Sequence, residues 1–196
     1  MKHDFNHKAE IFDSPKNIFL ANLVCQAVEK QIGLLSDKAI LDFGGGTGLL
    51  AFPLAKQAKS VTLVDISEKM LEQARLKAEQ QDIKNIQFLE QDLLVNPLEQ
   101  QFDLIVVSRV LHHMPDIDAT LAMFHHHLRE NGQVFIADFT KIEPNHHGFD
   151  LAELETKLAQ NGFSSIGSQI LYSAEDLFLG NYAELFLTVA QKSLAD

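Results

Sequence analysis

The 196-residue chain is 46% apolar and 22% charged, enough apolar sequence for one sizeable core, and it carries a formal net charge of -11. That acidity, with no Lys/Arg-rich run, argues against a partner held through its phosphate backbone, so nucleic acid is not expected. Cys25 alone cannot form an intramolecular disulfide, no apolar run approaches a membrane span, and no charged-then-apolar leader is seen; the expectation is one soluble, cytoplasmic domain without membrane insertion.

Residues 1 to 14 are polar with scattered Phe5, Ile11 and Phe12. Ser14-Pro15 marks a helix start, and Ile18, Phe19, Leu23, Ala27 and Ile32 give an amphipathic helix that Gly33 ends. A short apolar run from Ala39 to Leu41 then closes on Asp42, glycines fall at 44, 45, 46 and 48, and an apolar, helix-like segment runs from Leu49 to Ala55. This is strand, tight loop and helix. Four glycines in five positions mark a turn that a ligand approaches closely, whereas a flexible linker would lie in polar sequence. A dinucleotide fingerprint starting at Gly44 needs glycine or alanine at 49, where this chain has Leu.

Ser60 to Val64 is a β-branched run that closes on Asp65, followed by Ile66. An acid at the tip of the second strand of a doubly wound sheet accepts hydrogen bonds from ribose hydroxyls. The competing role, capping the helix Ser67 to Gln80, is already filled by Ser67. Ile86 to Leu89 is a third strand, with Gln91-Asp92-Leu93 beyond it. Phe102 to Val107 is almost uniformly apolar, as expected of a central strand covered on both faces, and Ser108 to His113 follow. A helix from Asp118 to Leu128, stopped by Asn131-Gly132, precedes the strand Gln133 to Asp138. The longest polar connection, residues 140 to 149, leads to a helix from Asp150 to Gln160. Phe163 to Tyr172 and Tyr182 to Gln191 read as two last strands with Ala174 to Asn181 between them, an antiparallel pair at the sheet edge.

The run Asp42-x-Gly44-x-Gly46-x-Gly48, joined to Asp65, Asp92-Leu93 and Phe102-Asp103 before an apolar strand, resembles the motifs of class I S-adenosylmethionine (SAM) dependent methyltransferases over residues 35 to 192. The resemblance implies an α/β, Rossmann-like, doubly wound sheet of seven mostly parallel strands with an antiparallel edge strand and helices on both faces. It implies a methyltransferase domain over residues 35 to 196 and a leading segment, residues 1 to 34, that caps the cofactor, shapes the acceptor pocket or packs on the sheet edge. SAM would be held by Asp42, Gly44, Gly45, Gly46, Gly48, Asp65, Ile66 and Ser108, with Asp92 on the adenine amine and Leu93 against its ring. Ser108 to His113 would lie over the reacting methyl. The family's Asn/Asp-Pro-Pro-aromatic sequence for nucleobase and glutamine acceptors is absent here, which favours a small-molecule acceptor. Displacement at a sulfonium needs chiefly alignment and exclusion of water. Two other readings stand beside this one: a SAM-binding module without catalysis, and a nicotinamide oxidoreductase. A short-chain dehydrogenase would need Tyr-x-x-x-Lys, which neither Tyr172 nor Tyr182 provides.

Seven of the nine histidines bunch at 112–113, 125–127 and 146–147. No His-x-x-x-His pair falls in one predicted helix, so no metal is expected, and the 125–127 run reads as helix surface. His112 and His113 differ because they follow the central strand, where an imidazole takes an acceptor's proton as general base or serves only to shape the pocket.

Overall fold

The computed structural model describes residues 9–141 and 148–193, which fall into two compact units meeting in sequence at Pro97 and Leu98. His146 and His147, and the greater part of the polar connection at 140 to 149, lie outside the described residues.

In the first unit, helix α1 (Pro15–Ile32) starts where Ser14 accepts the Asn17 N–H at 3.2 Å and ends at Gly33, whose left-handed φ of 77° returns its N–H to Glu29. Leu20, Ala21, Val24, Cys25 and Val28 are its buried stripe. Cys25 donates to Glu29 at 3.4 Å, and burial pushes its thiol up to about 12, so it stays an unreactive thiol. Strand β1 (Ala39–Phe43) is buried at every position, as expected of a strand covered on both faces. The short helix α2 (Ala51–Ala55), strand β2 (Ser60–Asp65), helix α3 (Glu68–Gln80) and strand β3 (Ile86–Glu90) follow. β1 pairs with β2 and β2 with β3, both parallel.

The second unit holds β4 (Phe102–Ser108), a single 3-10 turn (Leu111–His113), α4 (Ile117–His127), β5 (Leu128–Phe139), α5 (Leu151–Gln160), β6 (Phe163–Phe178) and β7 (Asn181–Lys192). β4 and β5 are parallel, while β7 runs antiparallel to both β5 and β6. The strand order is β3-β2-β1-β4-β5-β7-β6, with β4 central and the antiparallel pair at one edge, as the sequence leads one to expect.

Three expectations need correction. The segment Ala174 to Asn181 is not a connection: β6 continues to Phe178 and β7 starts at Asn181. Leu179 and Gly180, with φ of 52° and 76°, form a two-residue turn whose twist matches the strands it joins. The Asn131-Gly132 pair does not stop the helix. Helix α4 ends at His127, capped by Lys192, whose ammonium donates to the carbonyls of His125 and Leu128 at 2.8 Å each, and Asn131 (φ 60°) lies where the β4–β5 register shifts.

The third correction concerns the histidine run, because His127 is 0% exposed rather than on the surface. Its Nδ1 bonds the Met123 carbonyl at 2.8 Å and its Nε2 accepts the Leu98 N–H at 2.9 Å, which fixes a neutral ring with the proton on Nδ1. Burial holds its pKa below the ordinary value, so the unfolded chain binds this proton more readily. Stability from this ring is present above the unfolded value of about 6.5 and is lost as pH falls below it. The expected result is a melting temperature that declines from pH 7.5 to 5.5, with a shallower decline in His127→Gln; parallel profiles for the two proteins would contradict it.

Candidate functional site

In the first unit the chain leaves β1 at Phe43 and turns through the glycines. Gly44 donates to the Val64 carbonyl at 2.8 Å and Gly48 to the Gly45 carbonyl at 2.9 Å, so the loop is tied across to β2 and to itself. The four glycines serve different needs. A Cβ at Gly45 would lie 2.6 Å from Leu63 and 2.7 Å from the Asp42 carboxylate, and one at Gly48 would lie 2.6 Å from the Phe52 ring. Packing demands glycine at both. At Gly46 (φ 54°) a Cβ would meet, among the described residues, Phe12, Met70 and Asp65 at ordinary contact distances of 3.8 to 4.0 Å, so packing alone does not demand glycine here.

Asp65, at the tip of β2, spans the mouth of the loop. Its Oδ2 accepts the Gly46 N–H at 2.9 Å and its Oδ1 the Ser67 N–H at 2.8 Å. Burial raises its pKa, and the backbone N–H groups of Ser67, Gly46 and Ile66 pull it back down. Ser67 meanwhile accepts the Met70 N–H at 3.3 Å, so it caps α3 as its sequence position suggests. Asp42 lies under the loop, 1% exposed, with Oδ2 lacking a hydrogen-bond partner among the described residues. Burial first, and the charge of Asp65 second, push its carboxyl up to about 7 against the opposing Ala51 N–H.

The remaining cofactor candidates are placed less centrally. Asp92 is exposed at the end of β3, where its carboxylate accepts the Leu94 N–H at 3.0 Å, and Gln91 donates to the Asp65 carbonyl. Leu93 is buried in the core. Above the loop, the ring of Phe12 is 3.8 Å from where a Gly46 Cβ would stand, and Asp13 accepts from Thr47 Oγ1 and from Lys77, each at 2.5 Å. The leading segment is thereby clasped to the loop and to α3.

The second unit contributes a different cluster. Ser108, at the end of β4, has its hydroxyl buried without a hydrogen-bond partner among the described residues. Arg109 follows with a left-handed φ of 58°, an uncommon state for a non-glycine residue and one that clusters at functional sites. The 3-10 turn then presents His112, whose Nδ1 is 2.7 Å from Asp138 Oδ1 and whose backbone N–H donates to Asp138 Oδ2 at 3.2 Å. Asp138 is 0% exposed and also accepts the Phe139 N–H at 2.8 Å, so its position is fixed three times over. An ionised carboxylate only accepts, which puts the proton on His112 Nδ1 and leaves Nε2 as a base. The His113 ring centroid is 3.9 Å from that of His112. Asp138 carries no motif of its own and enters the sequence reading only as the end of a strand, not as a site residue.

Among the described residues no three His, Cys, Asp or Glu side chains gather as a set of metal ligands. The loop fits the adenosyl cofactor better than a pyrophosphate: it holds two carboxylates, one of them with an orphaned buried oxygen, which suit a sulfonium and an ammonium and repel phosphate. Residues 41–134 match the family model described as "Methyltransferase domain". Over those residues the chain is similar to that family. It is 35% identical over 115 residues to a ubiquinone biosynthesis O-methyltransferase of Coxiella burnetii, a match that takes in 58% of this chain and 48% of that one. The chain thus spans about half the length of the curated relatives it matches. Among solved structures it resembles the Burkholderia thailandensis 1,6-didemethyltoxoflavin-N1-methyltransferase, determined with its acceptor and S-adenosylhomocysteine, at a TM-score of 0.80 and 21% identity over 98% of this chain and 87% of that one. It also resembles a Haemonchus contortus phosphoethanolamine N-methyltransferase with bound SAM, at a TM-score of 0.71 and 15% identity over 95% and 60% of the two chains.

Two results should follow for this loop. Gly45→Ala should lower the melting temperature through its clash with Leu63 and Asp42, whereas Gly46→Ala, strained by about 1–2 kcal/mol, should still fold and lose SAM affinity. Equal affinities for SAM in Gly46→Ala and wild type, by calorimetry, would contradict the loop assignment. Asp42 has a folded pKa of about 7 above its ordinary value of 3.8, so the stability tied to its protonated form is lost as pH rises through that window. Between pH 6 and 8 the loss is on the order of 1 kcal/mol, and chemical denaturation of Asp42→Asn should lack it.

Proposed function

We propose that this chain transfers the methyl group of SAM to a small-molecule acceptor, using His112 as general base. The observation that carries the reading is the bond from the Gly46 N–H to Asp65 at 2.9 Å, which draws the glycine turn against the tip of β2 and sets the carboxylate at the mouth of the loop. In the bound state Asp65 exchanges or shares these N–H donors with the two ribose hydroxyls and Asp92 receives the adenine amine. Phe12 and Asp13, tied down by Thr47 and Lys77, close the leading segment over the loop and exclude water.

The cofactor supplies an electrophilic methyl on a sulfonium. On the protein's side, Nε2 of His112 takes the acceptor's proton while Nδ1–H stays donated to Asp138, whose buried charge stabilises the imidazolium that forms. This His–Asp pair favours catalysis over a binding module, because a module has no use for an oriented base. Proton removal suits a hydroxyl or an ammonium acceptor, in line with the named O- and N-methyltransferase relatives. The net charge of -11 disfavours nucleic acid, and Cys25 as a buried thiol suits the reducing cytoplasm. No helix among the described residues is long and apolar enough to cross a membrane.

The test is release of S-adenosylhomocysteine from SAM across a panel of hydroxyl, amine and carboxylate acceptors. Turnover of at least one hydroxyl or amine acceptor is expected. SAM binding with no turnover on any acceptor would instead identify a binding module.

A further inference from the structure

The turn at the tip of the β6–β7 hairpin puts a leucine in the left-handed region that a two-residue turn requires, and a second left-handed residue lies within β6 itself. Leu179 is 62% exposed and held at φ 52°, and Asp176 three residues earlier is at φ 55°, both in the left-handed region where a side chain is unfavourable. Between them the β6 register slips from Ala174 to Phe178. The result is to place one aromatic ring. Phe178 stacks on Phe139 with centroids 4.4 Å apart and planes 18° from parallel, and meets the His112 ring edge-on at 5.1 Å. Phe139 is itself 6.4 Å from His112. The general base is therefore bordered by a wall of flat rings: Phe139 beneath, His113 on one side, and half-buried Phe178 from a strand 66 positions further along the chain.

Backbone strain persists where the surrounding structure holds it and where function uses the placement. The His112 side chain retains 14% exposure, so a ligand reaches its ring beside Phe178 rather than through the buried Asp138. Flat rings at 4.4 to 6.4 Å are the geometry by which aromatic groups recognise one another, through offset stacks and edge-to-face contacts that a puckered ring cannot reproduce. A phenolic hydroxyl, with a pKa near that of Tyr at about 10, is also an acid that a carboxylate-backed imidazole deprotonates far more readily than an aliphatic alcohol.

We infer that Phe178 is a specificity-determining residue and that the acceptor is a planar aromatic alcohol, its ring packed against Phe178 and its hydroxyl donating to His112 Nε2. The inference rests on the methyltransferase reading above and narrows it to a substrate class.

The test is binding of phenol and of cyclohexanol, equal in size and different in planarity, to the full chain saturated with S-adenosylhomocysteine, followed by ligand-observed NMR at millimolar concentration. Phenol is expected to bind at least tenfold more tightly than cyclohexanol. Phe178→Ala and Phe178→Leu are both expected to weaken phenol binding about tenfold, the second keeping apolar volume without a ring, while Phe178→Tyr restores it. Affinity for S-adenosylhomocysteine should be unchanged in all three. Equal binding of the two alcohols, or phenol binding unaltered in Phe178→Leu, would overturn the aromatic assignment while leaving the methyltransferase reading in place. Failure of the wild-type chain to bind S-adenosylhomocysteine would overturn both.

Discussion

His112→Gln should lower kcat by roughly 100- to 10,000-fold, the usual contribution of a positioned general base, with SAM affinity unchanged. Asp138→Asn should approach that loss although it touches no substrate. An amide opposite His112 Nδ1 presents an N–H as readily as a carbonyl, so the ring is no longer held with its proton on Nδ1, and the charge that stabilises the imidazolium is gone. The wild-type rate at saturating substrate should fall in acid as the imidazole takes up a proton, and dialysis against chelator should change nothing. If His112 only shapes the pocket, His112→Gln will cost little and any pH dependence will follow the acceptor's own ionisation. Rates measured between pH 5 and 9 on the three proteins separate these outcomes.

Asp65→Ala should weaken SAM binding by roughly 1.5–3 kcal/mol, the scale of hydrogen bonds to a charged group. The effect has two sources. The ribose hydroxyls lose their acceptor, and the Gly46 and Ser67 N–H groups lose the carboxylate that shapes the loop. Asp65→Asn keeps one acceptor and should fall between the two. An Asp65→Ala variant that binds SAM as tightly as wild type would remove Asp65 from the site.

The strand-loop-helix around Asp42 to Gly48 was legible because glycine and apolar runs leave local signals, and helix α1 was legible because Ser14, Pro15 and Gly33 punctuate it. Asp138 was legible in principle. The segments Ile-Leu-Asp42, Leu-Val-Asp65 and Ile-Ala-Asp138 each end an apolar strand in an acid, and only the first two had a motif beside them to draw attention. Its pairing with His112 spans 26 residues and arises from two strand ends lying side by side, which no local pattern encodes. Phe178 was hidden for another reason. A strand end carrying Ser173, Glu175 and Asp176 looks like a loop, and only its pairing to β7 makes it a strand. His127 was misplaced because an adjacent-histidine run says nothing about which of the three faces inward; burial went to the one whose two nitrogens both found backbone partners.

The most direct test of the central claim is calorimetric titration of the wild-type chain with SAM and, separately, with NAD. The account predicts one saturable SAM site, weakened at least tenfold in Asp65→Ala, and no NAD binding; saturable NAD binding, or no heat of SAM binding at any temperature tried, would contradict it.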